Sequence, residues 1–129
     1  MGTFKTFQNI EAWQKARVLA NRIYDVSGSG LFSRDFGLRD QIRRAGISVM
    51  SNIAEGFEGG GSKEFVRFLS IAKGSIGELK SQLYIALDQK YVVEDVLSEL
   101  FGLADEIGKM MAGLMSYLRL TNVRVSKHE

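Results

Sequence analysis

Ser48-Val49-Met50-Ser51-Asn52-Ile53-Ala54-Glu55-Gly56 is the stretch that decides the fold. Val49 and Ile53 continue an apolar series begun by Leu38, Ile42 and Ala45, and spacings of three and four residues keep one face of a helix apolar. Beside that stripe runs a polar file, Gln41, Ser48, Asn52 and Glu55, at steps of seven, four and three residues. Polar groups at the edge of a core have to be hydrogen-bonded. The file therefore predicts a partner helix with matching groups.

Working outward, four helical segments emerge. The first is expected over about 9–26, with Trp13, Ala16, Ala20, Ile23 and Tyr24 on one face and Asn9 as N-cap. Ser27-Gly28-Ser29-Gly30 breaks it. The second covers about 36–57 and ends at Glu58-Gly59-Gly60-Gly61. Ser62 is expected to cap a third helix over about 63–89, with Phe65, Leu69, Ala72, Ile76, Leu79, Leu83 and Ala86 inward. The fourth is expected over about 94–118, through Val96, Leu100, Leu103, Ile107, Met111, Leu114 and Leu118. Glu94 and Asp95 suit the positive end of its dipole. The stretch 121–129 is polar and expected to fray. Short loops between long helices imply an all-α, up-down-up-down antiparallel four-helix bundle, with residues 1–129 forming one domain.

Composition agrees. At 129 residues the chain has the length of one domain, and 45% hydrophobic with 25% charged residues is the balance of a soluble globular protein. Proline and cysteine are absent, which excludes disulfides, thiolate metal sites and cysteine nucleophiles. No apolar run approaches the ~20 residues needed to span a bilayer, so the chain is expected to be cytoplasmic, without a membrane partner. The net charge of +2 is too small to imply nucleic acid by itself. Its distribution is uneven: residues 93–118 hold Lys109 against five acids, whereas residues 1–92 are net basic.

Two helices carry more apolar surface than one stripe requires. The second has a further file of Phe36, Ile47, Met50, Ala54 and Phe57, and the fourth one of Leu97, Phe101, Ala104 and Met115. A second file is expected to be buried against another subunit, so a homo-oligomer follows.

Candidate chemistry is sparse. Ser75, Glu78 and Gln82 on the third helix can face Gln41, Ser48, Asn52 and Glu55 on the second as a structural polar network. Glu55 and Glu78 are the only acids in that set. Di-metal bundle sites use Glu-x-x-His pairs, and the single histidine, His128, lies in the tail. No metal, cofactor, catalytic residue or small-molecule substrate is therefore expected, and the chain reads as a non-enzyme. Gly74 and Gly77 inside the third helix are expected to permit close helix packing, since each costs ~1 kcal/mol relative to alanine. Gly59-Gly60-Gly61-Ser62-Lys63 resembles a phosphate loop only in composition. Arg34, Arg39, Arg43, Lys63, Arg67 and Lys73 form the candidate RNA-binding surface, because guanidinium forks match phosphate oxygens. The same groups could instead pair with neighbouring acids.

The ordered motifs Phe7…Trp13-Gln14-Lys15-Ala16, Phe36-Gly37-Leu38…Gln41-Ile42-Arg43-Arg44-Ala45, Ser48…Asn52-Ile53-Ala54-Glu55-Gly56 and Ser62-Lys63-Glu64-Phe65…Arg67-Phe68-Leu69 extend through Gly74-Ser75…Glu78-Leu79…Gln82-Leu83. Over about residues 4–118 the set resembles the bacterial four-helix-bundle proteins encoded in intervening sequences of 23S ribosomal RNA genes. The resemblance implies a ring-like homopentamer and suspected association with structured RNA or a ribonucleoprotein. Related bundles implied by it serve as accessory subunits of reverse transcriptases, so a protein-interaction scaffold without direct RNA binding is the alternative. The chain departs from the family pattern at Leu31-Phe32-Ser33 and Met50, where proline is common, and in the three glycines after Phe57-Glu58, where arginine is usual.

Overall fold

The computed structural model describes residues 4–121. A short 3-10 turn at Phe7–Asn9 precedes α1 (Glu11–Ser27), and a second at Phe32–Arg34 precedes α2 (Phe36–Glu58). Two longer helices follow, α3 (Ser62–Asp88) and α4 (Glu94–Leu120), and no strand occurs among the described residues. The expected stretch from 122 onward lies outside the described residues, while Thr121 closes α4 by donating its amide to Tyr117 O at 3.1 Å.

The helix starts differ from the sequence expectation. Asn9 does not cap α1; its side chain accepts from the Lys5 and Thr6 amides, both at 3.3 Å, and so closes the 3-10 turn. Ile10 takes the cap position with extended backbone and no side-chain bond. Ser62 is the first residue of α3 instead of its cap. Gly61 caps in extended conformation, and the Ser62 side chain turns inward, 1% exposed, with its hydroxyl unpaired. A cap that composition did not single out is Asp35, whose Oδ1 accepts from the Leu38 amide at 3.1 Å. Its other oxygen accepts from Tyr91 Oη at 3.0 Å, and Tyr91 stacks on buried Phe32. One aspartate therefore holds the start of α2 to the loop that precedes α4.

That loop leaves α3 through Lys90, whose φ of 65° is left-handed. The Tyr91 amide reaches Ala86 O at 2.8 Å and the Lys90 amide reaches Leu87 O at 2.9 Å, which satisfies two otherwise orphan carbonyls. The α2–α3 link uses Gly60 at φ 103°, a conformation glycine alone adopts freely.

The core is one cluster drawn from all four helices. Ile42, Val49, Ile53, Leu69, Leu79, Leu83, Leu100, Ile107 and Met111 are fully buried. The inward stripe of α3 is buried at every expected position. Leu38, Trp13, Val96, Leu103 and Leu114 lie at its margin, half-buried, and Tyr24 is exposed. Gly46 lets α2 pass close to α1, since a Cβ there would sit 3.6 Å from Ala20 Cα. Contact is most extensive between α2 and α3 and, among the four pairs of neighbouring helices, least extensive between α1 and α4.

Candidate functional site: the α2–α3 seam and the outer faces

Small and polar side chains line the outer edge of the α2–α3 seam. Ser48 Oγ and Ser75 Oγ are hydrogen-bonded at 2.8 Å, and Asn52 Nδ2 donates to both Ser48 O (2.8 Å) and Ser48 Oγ (3.0 Å). Farther along, Gln82 Nε2 donates to Gln41 Oε1 at 3.2 Å and, at 3.5 Å, to Glu78 Oε2. The structure thus brings six of the seven residues of the sequence file together in two clusters. Glu55 is the exception. It is exposed, and no hydrogen bond joins it to the file among the described residues. The reason is position: Gly56 and Ile53 turn inward there, leaving Glu55 to solvent. Gln41, Arg44, Ala45, Ser48 and Glu78 enclose an open cleft of about 300 Å³.

The six candidate basic residues do not form one patch. Arg39 donates from Nε to Asp40 Oδ1 (3.0 Å) and from Nη1 to Ser33 O (3.1 Å), while its guanidinium lies 4.8 Å from the Phe36 ring centroid. Arg43 donates to the buried Ser27 hydroxyl at 2.9 Å and covers Tyr24 at 4.4 Å. It is a strut between the end of α1 and α2. Arg67 forks onto Glu64 at 2.6 and 3.3 Å. That hydrogen bond holds the Glu64 carboxyl below its ordinary range and raises Arg67. Arg34, Lys63 and Lys73 are exposed, with no acidic partner among the described residues. Arg34 and Lys63 flank opposite ends of α2, so about 23 residues of helix, ~34 Å, separate them. Sequence shows the charges; only tertiary contact shows which are already engaged.

The second apolar files divide in the same way. Leu97, Ala104 and Met115 belong to the chain's own core, at 9%, 0% and 7% exposure, and are not surface. Met50 and Phe57 are half-buried against that core, with Phe57 edge-on to Phe65 at 6.2 Å. Phe101 meets Tyr84 edge-on at 5.3 Å, and Ala54 is half-buried. Only Phe36 (63%) and Ile47 (40%) of the set are exposed. Other apolar side chains on helix bodies are equally open: Val18, Ile71, Tyr84 and Ile85. Gly74 and Gly77, expected to permit close helix packing, have no helix of their own chain packed on them. Both are exposed, and a Cβ at either would meet nothing within 4 Å. With Ser70 and Ser81 they form an exposed small-residue row on α3 at steps of four, three and four.

The acids of α4 are largely used between helices. Glu99 takes Arg22 from α1 through two bonds, at 2.7 and 2.8 Å, which depresses the Glu99 carboxyl and raises Arg22. Glu106 pairs with Lys15 at 3.5 Å, and Asp105 pairs with Lys80 of α3. Among the described residues no group of histidines, cysteines or acids is arranged to hold a metal ion, and no helix is long and apolar enough to cross a membrane.

Four helices around one apolar core, with a hydrogen-bonded polar seam, define a four-helix-bundle protein. The chain belongs to the 23S rRNA-intervening sequence protein family, whose model matches residues 8–113. Among solved structures, the fold is similar to that of a protein with unknown function from the S23 ribosomal protein family of Bacteroides thetaiotaomicron. That protein is 22% identical, with a TM-score of 0.75 over 81% of this chain and 95% of the other. At this identity the likeness concerns the fold alone. No curated protein matches the chain.

Proposed function

We propose that this chain is a non-enzymatic, self-associating interaction module, an up-down-up-down bundle whose outer helix faces are covered by further copies. The reading rests on what the single chain leaves unpacked. Gly74 and Gly77 each weaken α3 by ~1 kcal/mol relative to alanine and face open space. Such a sacrifice is offset when another helix approaches closely over the small row. Exposed Ile71 and Ile85, on the same helix, supply apolar area for that contact. The resemblance to the intervening-sequence family implies five copies. The paired contacts Ser48–Ser75 with Gln41–Gln82, Arg22–Glu99 with Lys15–Glu106, and Lys80–Asp105 with Tyr84–Phe101 run oppositely along their helices and support the alternating directions.

Light scattering of the purified chain tests this, with Gly77→Leu beside it. The wild type should have a mass several times 14.4 kDa. The variant should be smaller and no less helical, because the added side chain meets nothing in its own chain. A monomeric wild type, or a variant of unchanged size, contradicts the reading.

Association with structured RNA is a second reading, favoured by the cations without acidic partners, Arg34, Arg44, Lys63 and Lys73. Their separation suits an extended backbone more than a pocket. A salt series with an Arg34→Ala/Lys63→Ala/Lys73→Ala variant tests it, since phosphate contacts make affinity fall steeply with salt. Arg39 and Arg43 are unsuitable probes because both hold the fold.

A further inference from the structure

We infer, building on the self-association reading, that α3 makes a two-fold contact: its outer face seats on the same face of a second copy, with the two helices antiparallel. Charge selects the direction. Lys63 lies in the first turn of α3 and Asp88 is its last residue. Both are exposed, and neither has an ion-pair partner among the described residues. Each also sits at the end of the helix dipole that disfavours its sign, the cation at the positive end and the acid at the negative end. Within one chain both placements are a local cost. An antiparallel copy offsets both, because Lys63 then faces the partner's Asp88 and Asp88 faces the partner's Lys63. A parallel copy in the same register would set like charges together at each end.

The residues between the two charges are symmetric about the same midpoint. Ser70, Gly74, Gly77 and Ser81 follow at steps of four, three and four, and Lys63 and Asp88 each lie seven residues beyond a serine. Seven residues are close to two turns, so both charges fall on the line of the row. Turning α3 end for end therefore lays Ser70 on the partner's Ser81, Gly74 on the partner's Gly77 and Lys63 on the partner's Asp88, all in one register. A Cβ at Gly74 or Gly77 would meet nothing within 4 Å, so the row is open to a closely packed helix. Ile71 and Ile85, 42% and 49% exposed, stand on one flank of the row with Glu78 between them and supply apolar area. On the other flank Lys80 is already held by Asp105. A contact of this kind is isologous and joins copies in pairs. The multimer then holds an even number of chains, two or, where two rings of five meet through α3, ten.

Brief oxidation of cysteine variants of the full chain tests the contact, since the chain has no cysteine of its own. In the inferred register Ser70 meets the partner's Ser81, whereas each serine lies about 11 residues, ~17 Å along the axis, from its own counterpart. A disulfide needs Cα atoms within about 7 Å. Ser70→Cys/Ser81→Cys should therefore oxidise to a covalent dimer, and neither single variant should. Cross-linking of a single variant, or none in the double variant, overturns the contact. Charge exchange gives a second readout. Asp88→Lys should raise the dissociation constant on the order of 10-fold, because symmetry removes two pairs at once, and adding Lys63→Asp should restore it. A Lys63→Asp/Asp88→Lys chain that associates no more tightly than Asp88→Lys alone also overturns it. The two readings fail separately: a mass of five chains in light scattering overturns the two-fold contact and leaves self-association standing, whereas a monomer overturns both.

Discussion

Two glycine-to-alanine changes in neighbouring helices should have opposite effects. At Gly77 the new methyl meets nothing within 4 Å, so the change should return the full helix-propensity difference, about 1 kcal/mol. At Gly56 the same gain is opposed by contact. A Cβ there would lie 2.8 Å from Phe65 Cδ1 and 2.9 Å from Phe68 Cβ. Phe65 is buried in the core, and a β-carbon cannot swing aside without moving its helix. Overpacking of this kind costs ~1–3 kcal/mol, so the net effect at Gly56 should be a loss of up to about 2 kcal/mol. For a chain of this length ~1 kcal/mol corresponds to a few degrees in Tm. Urea unfolding followed by circular dichroism, at a dilution where light scattering reports the monomer, reads both. The midpoint should rise for Gly77→Ala and fall for Gly56→Ala, with unchanged m-value. A gain at both positions would refute the close approach of α2 to Phe65 and Phe68.

Other consequences follow from single contacts. Leu97→Ala should lower the monomer's stability by ~2–4 kcal/mol in the same unfolding assay, as for a core leucine, and not act mainly on assembly. Tyr91→Phe keeps the stack on Phe32 but leaves Asp35 Oδ2 without its donor, so Tm should fall slightly. The hydrogen bond to Asp35 raises the Tyr91 hydroxyl above its usual 10, so its stabilisation is complete below pH 10 and lost as pH rises through the higher folded value. Alkaline melts of wild type and variant should therefore converge. Glu99 is depressed by its bonds to Arg22, so that contribution is present above pH 4.5 and lost as pH falls through the lower folded value. Glu99→Gln should cost no more than about 1 kcal/mol at neutral pH, the pair being partly exposed, and should reduce the acid sensitivity of melting below pH 4.5.

The four helices were legible because their apolar positions repeat at three and four residues, and burial enforces that pattern along whole faces. The buried stripe of α3 from Phe65 to Ala86 is the plainest case. The helix starts were less legible. A capping residue competes with its neighbours: Asn9 is taken by the turn before α1, and the extended backbone of Gly61 lets Ser62 enter α3 as a buried side chain. The polar seam could be read from spacing as far as Ser48, Asn52, Ser75, Gln41, Glu78 and Gln82, but the spacing that places Glu55 near them carries no information on whether it turns to solvent. Leu97 and Met115 lie beside the main α4 stripe in sequence. They are core because α4 packs against both α1 and α3, which widens its buried face. The roles of Arg39 and Arg43 depend on Ser33, Ser27 and Tyr24, which only folding brings within reach.

The central claim, that further copies cover the outer face of α3, is tested most directly by a spin label on that face. The chain has no cysteine, so Ser81→Cys provides a single attachment point in the exposed small row. A dilution series recorded by electron paramagnetic resonance should give an immobilised label at concentrations where light scattering reports the multimer, and a mobile one in the monomer. A label that stays equally mobile across that range contradicts the claim.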